Sequence, residues 1–250
     1  MNTITLIAIA LFALIPTTAI VFCIYVNDCL EKEPIPLLVA LFAAGIVSAF
    51  VAALIPRHNL MMVALVEELC KFLVLILLTF KSKAFDCKFD GIVYAVCVGA
   101  GFAFLENVFY YAQFFMVGKM GGTVGAGRAF SRFLPVAVHA ICAVIIGYFY
   151  SAGKEFFLDK KLRKGILNIA LGYLLAVIYH GVWDMLCMYS YKFWMIAFLL
   201  VFIIASILVA IYVINRVEKG DYYFDDELAK GNDSKLETQM SNSVENELDK

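Results

Sequence analysis

The chain has 250 residues, of which 63% are hydrophobic and 16% charged, with a mean hydropathy of +0.87. A soluble domain carries about half apolar and a quarter charged residues, so this composition excludes a water-soluble globule and indicates a polytopic membrane protein. The net charge of −1 conceals an asymmetry, because the segment from Val217 onward holds ten acidic and four basic residues; no basic stripe with interleaved aromatics occurs, and nucleic-acid binding is not indicated.

About 20 apolar residues cross a bilayer as a helix. That length predicts an all-α bundle of about seven spans: Thr3–Val26, Pro36–Ile55, Leu60–Phe80, Gly91–Val117, Phe133–Ala152, Gly165–Tyr189 and Phe193–Asn215. The first begins MNTITLIAIALFALIP without the basic leader of a secretory signal, so it is expected to be retained. A turn with Arg57 and His58 follows the second span. The third, LMMVALVEELCKFLVLILLTF, carries Glu67, Glu68 and Lys71. Each such charge costs about 2.5–3.5 kcal/mol near the bilayer centre, and packing alone does not call for it, so the cluster marks a functional site. The fourth span (GAGFAFLENVFYY) holds Phe102, Glu106 and Asn107, the fifth His139, and the sixth His180 and Asp184 within YHGVWD. Two connections are longer, the glycine-rich Gly118–Arg132 and the basic Gly153–Lys164.

Counted near the spans, eleven Lys/Arg fall on the side of the C-terminal tail and five on the other: Arg57, Lys119, Arg128, Arg132 and Lys192. The positive-inside rule therefore predicts an extracytoplasmic N-terminus and a cytoplasmic C-terminus. Residues 1–216 form the expected membrane domain. The acidic tail 217–250 has too few apolar residues to fold, and disorder is expected from about Gly220. The seven cysteines form no CxxC pair and read as small apolar residues, Cys70 alone standing among charges.

Helical spacing organises the polar residues. Glu67 and Lys71 are i,i+4 on one face, with Glu68 three residues from Lys71, and His180 and Asp184 are i,i+4. Counting about 1.5 Å per residue from the outer helix ends, Glu67 lies ~11 Å deep, His139 ~9 Å, Glu106 ~16 Å, His180 ~13 Å and Asp184 ~7 Å. Four helices thus bring carboxylates and imidazoles to one layer. Singly, each has a plain structural reading: His139 as an interhelical hydrogen bond, Asp184 as the orienter of His180, the glutamates and Lys71 as an internal ion pair. Together they supply what hydrolysis by an activated water needs, namely a base, groups to hold a metal or polarise a carbonyl, and shelter from lipid.

EELCK at Glu67–Lys71 resembles the EExxK motif of the PrsW family of intramembrane proteases. FAFLEN at Phe102–Asn107 resembles its FxxxE(N) motif, and HGVWD at His180–Asp184 its HxxxD motif. The likeness covers roughly residues 25–190. The related CAAX prenyl endopeptidases and bacteriocin-immunity proteases use Arg in the first motif and His in the second, where this chain has Lys71 and Glu106. The resemblance implies an intramembrane metalloprotease of the bacterial cytoplasmic membrane. Its expected substrate is a single-span anti-sigma factor in the bilayer, cut at site 1 to begin an envelope-stress or antimicrobial-peptide response. It makes Glu67 or Glu68 the general base and Glu106, His139, His180 and Asp184 metal ligands or electrophilic stabilisers, with Lys71, Asn107 and Phe102 in support. A divalent metal, zinc by expectation, is implied, although HExxH is missing and a metal-free glutamate mechanism has been considered for the CAAX relatives. The competing class is a proton- or ion-coupled carrier using the same acids as a relay; repeated halves, broken helices and a midplane site would mark it, and none is evident in the sequence. A scaffold whose polar residues only pack helices leaves their common depth unexplained.

Overall fold

The computed structural model describes residues 3–28, 30–116, 131–189 and 193–225. Their elements are α1 (Thr3–Asn27), α2 (Ile35–Leu54), α3 (Leu60–Thr79), α4 (Asp90–Met116), α5 (Phe133–Leu158), α6 (Leu162–Tyr189) and α7 (Phe193–Lys219). Among the described residues the only strand-like pairing is an isolated bridge between Cys87 and Tyr223. Among the described residues six helices are long and apolar enough to cross a membrane; α3 is 20 residues long but carries Glu67, Glu68 and Lys71. The chain is a multi-pass membrane protein. Side chains turned away from the bundle, such as Ile4, Leu77 and Val201, are large and apolar, as contact with hydrocarbon requires.

The bundle is organised around α4, which is buried without a break from Asp90 to Ala103. Its glycines and alanines let neighbouring backbones come close, the usual substitute for a hydrophobic driving force inside lipid. A Cβ on Gly45 of α2 would lie 2.1 Å from the Val98 carbonyl oxygen of α4, and one on Gly101 of α4 would lie 2.0 Å from the Phe42 oxygen of α2. On the other side, Gly91 and Gly147 bring α4 against α5 in the same way. Pressed between α2 and α5, α4 can deliver Phe102 and Glu106 to a fixed level. By contrast α7 leans on α5 and α6 through a few residues, among them Leu199 and Ile203, and most of its surface is open.

Two expectations change. The basic stretch 153–164 is mostly helical, since α5 continues to Leu158 and α6 starts at Leu162, leaving a turn in which Lys160 has φ 58°. Helix continuation costs little here because the stretch holds no proline and no glycine after Gly153. The start of the acidic tail is also ordered. The tail boundary drawn at residue 217 falls inside α7, and residues 221–224 fold back on the α3–α4 connection. Asp221 accepts hydrogen bonds from the backbone N–H groups of Lys88, Phe89 and Tyr222, at 3.0, 3.1 and 3.0 Å. Phe224 donates its N–H to the Asp86 carbonyl at 2.8 Å and buries its ring against Phe85. One aromatic and a capping carboxylate were enough to dock a segment whose composition suggested disorder. Residues 117–130, which include most of the glycine-rich connection, and the tail from 226 lie outside the described residues.

At this same end Glu33, in the α1–α2 connection, is 2% exposed and meets the Tyr94 hydroxyl, which is also 2.7 Å from the Ala84 carbonyl. Burial raises the Glu33 carboxyl from 4.5 to about 7, and burial likewise raises Asp28 to about 6. The fold therefore favours their protonated forms. The associated stability is greatest at acid pH, is lost as pH rises through the folded values, and is gone above about pH 7.

Two outcomes follow for the folded protein in detergent. Gly45→Val sets a side chain against backbone that cannot yield, and overpacking of this kind costs about 1–3 kcal/mol or more; its melting temperature should fall well below that of Gly220→Ala, where the nearest atom is 3.4 Å away. The melting temperature should also fall from pH 5 to pH 8, and Glu33→Gln should flatten that slope, stabilising most at pH 8. A parallel slope in the variant would remove Glu33 as its source.

Candidate active site

Asn59 caps α3, its side chain accepting from the Met62 N–H at 2.8 Å. From there the helical repeat turns Ala64, Glu67, Glu68, Lys71 and Leu75 inward. Lys71 donates to Glu68 Oε1 at 2.5 Å and to His139 Nδ1 at 3.0 Å, and stands 4.6 Å over the Phe102 ring. An ammonium has three donors and no acceptor, so His139 Nδ1 must accept and the ring proton sits on Nε2. That proton is directed at Glu106 Oε2, 2.7 Å away. Glu68 Oε1 accepts a second hydrogen bond from His180 Nδ1 at 2.7 Å, and Glu68 is 1% exposed. The i,i+3 partner of Lys71 is therefore its ion-pair partner, and Glu67 at i,i+4 is not.

Glu67 faces elsewhere. Its Oε1 accepts from Arg57 at 2.8 Å, and its Oε2 lies 3.9 Å from His180 Nε2. On the other flank of that nitrogen, Asp184 Oδ2 is 3.8 Å away. Both gaps exceed a hydrogen bond and are wide enough for a bridging water. These groups line a cavity of about 680 Å³ between α2, α3, α4 and α6, with Arg57, Glu106 and Tyr110 also on its wall. At the start of α5, Arg132 donates to Glu106 Oε1 at 2.9 Å and to Asn107 Oδ1 at 3.0 Å, and its guanidinium lies 3.9 Å over the Tyr110 ring. Asn107, fully buried, returns a hydrogen bond to the Arg132 carbonyl at 3.3 Å.

The structure thus brings together Glu67, Glu68, Lys71, Phe102, Glu106, Asn107, His139, His180 and Asp184, from four helices. Charge counting along the sequence registered Arg57 and Arg132 only as markers of sidedness. Their position at helix ends, beside carboxylates short of cations, was the available signal. It also passed over Cys142, three residues after His139, whose thiol lies with Glu68 and His180 so that their ligand atoms are all within 4.8 Å of one another; Cys70 has no such place. His58 is exposed and takes no part.

The donor chemistry fits a divalent metal. Ligand atoms of Glu67, His139 and His180 lie within 4.8 Å of one another. His180 gives Nδ1–H to Glu68 and turns its other nitrogen to the cavity, as carboxylate-oriented metal ligands do. Glu67 Oε2 and Asp184 Oδ2 flank that nitrogen. His139 has both nitrogens engaged, so its use as a ligand requires Glu106 to give up a hydrogen bond. Glu106, an expected ligand, is here committed to Arg132 and His139.

A bundle of membrane-crossing helices enclosing a cavity of carboxylates and imidazoles has the equipment of an intramembrane hydrolase. Residues 33–212 match the model of a family described as PrsW family intramembrane metalloprotease, and the chain belongs to that family. It is similar to Protease PrsW of Clostridioides difficile, 32% identical over 212 residues that cover 78% of this chain and 84% of the relative. Protease PrsW of Geobacillus kaustophilus is 30% identical over 184 residues, 68% of this chain and 76% of the relative. That of Bacillus subtilis is 29% identical over 183 residues, 68% and 78% respectively. No solved structure matches the chain. The protein is an intramembrane protease acting on a membrane protein within the bilayer.

Because Lys71 neutralises a nearly inaccessible carboxylate, Lys71→Met should cost about 3–5 kcal/mol of folding stability, the penalty for leaving a buried charge unpaired. Adding Glu68→Gln should recover part of that loss. The cycle is read by unfolding in detergent, and purely additive losses would show that the two charges do not depend on each other.

Proposed function

We propose that the protein performs site-1 cleavage of a single-span membrane protein near the extracytoplasmic end of its span. By family likeness that substrate is an anti-sigma factor, whose cleavage begins the release of a sigma factor for the envelope-stress or antimicrobial-peptide response. The observation that carries the reading is the division of labour between adjacent glutamates. Glu68 is sealed between Lys71 and His180, whereas Glu67 opens on the cavity beside His180 and Asp184.

In this mechanism Glu67 Oε2 takes a proton from a water in the gap toward His180, and the resulting oxygen nucleophile adds to the scissile carbonyl. Glu67 then returns the proton to the departing amide nitrogen as the C–N bond breaks. Glu68 is a positioning residue that sets the His180 ring, and Lys71 keeps Glu68 ionised at its post. Glu106 and Arg132 orient His139, with Asn107 fixing Arg132. A divalent metal such as zinc would be held by His180 and Asp184, joined by His139 once Glu106 releases it, and would supply polarisation of the carbonyl and acidification of the water.

An outward-facing cavity follows if the N-terminus is extracytoplasmic, as the eleven-to-five division of basic residues favours. The membrane helices then carry the chemistry, and the segment that follows α7 lies on the cytoplasmic side. Unwinding a substrate helix at mid-bilayer exposes backbone groups that each cost several kcal/mol, so the cut belongs at the frayed juxtamembrane end.

Purified protein in lipid vesicles, given a single-span reporter, tests this. Glu67→Gln should lower the cleavage rate by at least about 10²-fold with little loss of stability, since the amide is isosteric but accepts no proton. Glu68→Gln should lower rate and stability together. Undiminished cutting by Glu67→Gln, or a fragment whose mass maps the cut to the cytoplasmic end of the reporter, would overturn the proposal.

A further inference from the structure

The two arginines at the cavity are held very differently. Arg132 makes two side-chain hydrogen bonds, lies on the Tyr110 ring and is only 12% exposed in its side chain. Arg57 belongs to the short connection between α2 and α3, is 24% exposed in its side chain, and has a single hydrogen bond among the described residues, to Glu67 Oε1. Losing Arg132 would undo a fixed corner of the site. Releasing Arg57 breaks one charge-assisted hydrogen bond at the cavity wall. While it is made, half of the acceptor capacity of Glu67 is withheld from water.

The charge of the connecting sequence is one-sided. In the sequence, α2 is joined to α3, α4 to α5 and α6 to α7 by residues 55–59, 117–132 and 190–192. These connections contain Arg57, Lys119, Arg128, Arg132 and Lys192 and not one aspartate or glutamate. The carboxylates at this end, Glu67, Glu106 and Asp184, belong to helices and line the cavity. At the described part of this end Arg57 and Arg132 stand beside the cavity carboxylates, and cations so placed draw acidic segments and repel basic ones.

We infer that Arg57 is a specificity-determining residue that selects substrates with an acidic side chain beside the scissile bond, and that its transfer from Glu67 to that carboxylate releases Glu67 for catalysis. The occupant is an acidic juxtamembrane stretch of a polypeptide, which can present a carboxylate inside the cavity at the reacting bond. The inference rests on the reading of Glu67 as the base. The exchange keeps one arginine–carboxylate pair throughout, while Glu67, no longer held by Arg57, is left on the cavity wall with both oxygens open to accept from water.

Three synthetic single-span reporters test it in phosphatidylcholine vesicles, identical except for Asp, Asn or Lys at the flank next to the cut. The wild type should favour the Asp reporter over the Asn reporter by about tenfold in kcat/KM, the scale of one charge-assisted hydrogen bond, and disfavour the Lys reporter. Arg57→Glu should invert the order so that Lys is cut best, and Arg57→Gln should level it while still cutting the Asn reporter. Inversion is a readout that a merely structural arginine would not give, and the milder variant keeps the test alive if the charge reversal fails to fold. Equal cutting of all three by wild type, or an order unchanged in both variants, overturns the inference and leaves the protease mechanism standing. A preference that appears only when anionic lipid is added assigns Arg57 to headgroups and equally overturns it. If the wild type cuts the reporters but Glu67→Gln cuts them as well, the reading beneath it falls, and the inference with it.

Discussion

A lysine and a glutamate buried together inside a membrane bundle set the terms for everything near them. Neither Lys71 nor Glu68 has access to water, so each must find its partners within the protein. Lys71 does so with Glu68, His139 and the face of Phe102, which accounts for all its donors. Its demand fixes the proton of His139 on the side of Glu106, and Glu68 in turn fixes His180. One ammonium thus orients both imidazoles. The arrangement requires α3, α4, α5 and α6 to meet at a single level.

That meeting depends on backbone approach more than on side-chain bulk. The small residues of α4 at its contacts with α2 and α5 bring helix axes close where lipid offers no hydrophobic reward for packing. With α4 held on both sides, the charged cluster is gathered on rigid elements, and the cavity lies between α2, α3, α4 and α6. At the opposite end of the bundle a second set of acids, Asp28, Glu33 and Asp90, is buried, with Asp90 accepting from the Cys87 N–H of the α3–α4 connection and Glu33 meeting the Tyr94 hydroxyl. The two ends have contrasting chemistry: carboxylates sheltered behind cations at one, carboxylates sheltered by burial and tyrosine at the other.

The helices were legible because hydrocarbon demands long apolar runs, and the expected spans agree with the observed helices to within a few residues except where α5 continues through the basic stretch to Leu158. The docked segment after Gly220 was not legible. Its composition is polar, and its order comes from a few specific contacts, Asp221 on three backbone N–H groups and Phe224 in an aromatic pocket, that no local pattern announces. The arginines escaped for a related reason. Arg57 and Arg132 stand outside the apolar runs, where basic residues are ordinary, and only proximity to Glu67 and Glu106 distinguishes them.

By itself the sequence determined that this protein crosses a membrane several times, that its buried charges lie on four particular helices at a common depth, and that its motifs are those of the PrsW family. Apolar length and helical rise are local properties, so counting suffices for them. Only the tertiary structure decided which glutamate is sealed and which opens on the cavity, which partner Lys71 takes, and which arginine is held by a single hydrogen bond among the described residues. Neighbouring residues on a helix differ by about 100° in direction and both can face the interior. The choice between them is made by what the other helices present, as Glu68 meets His180 and Glu67 meets Arg57.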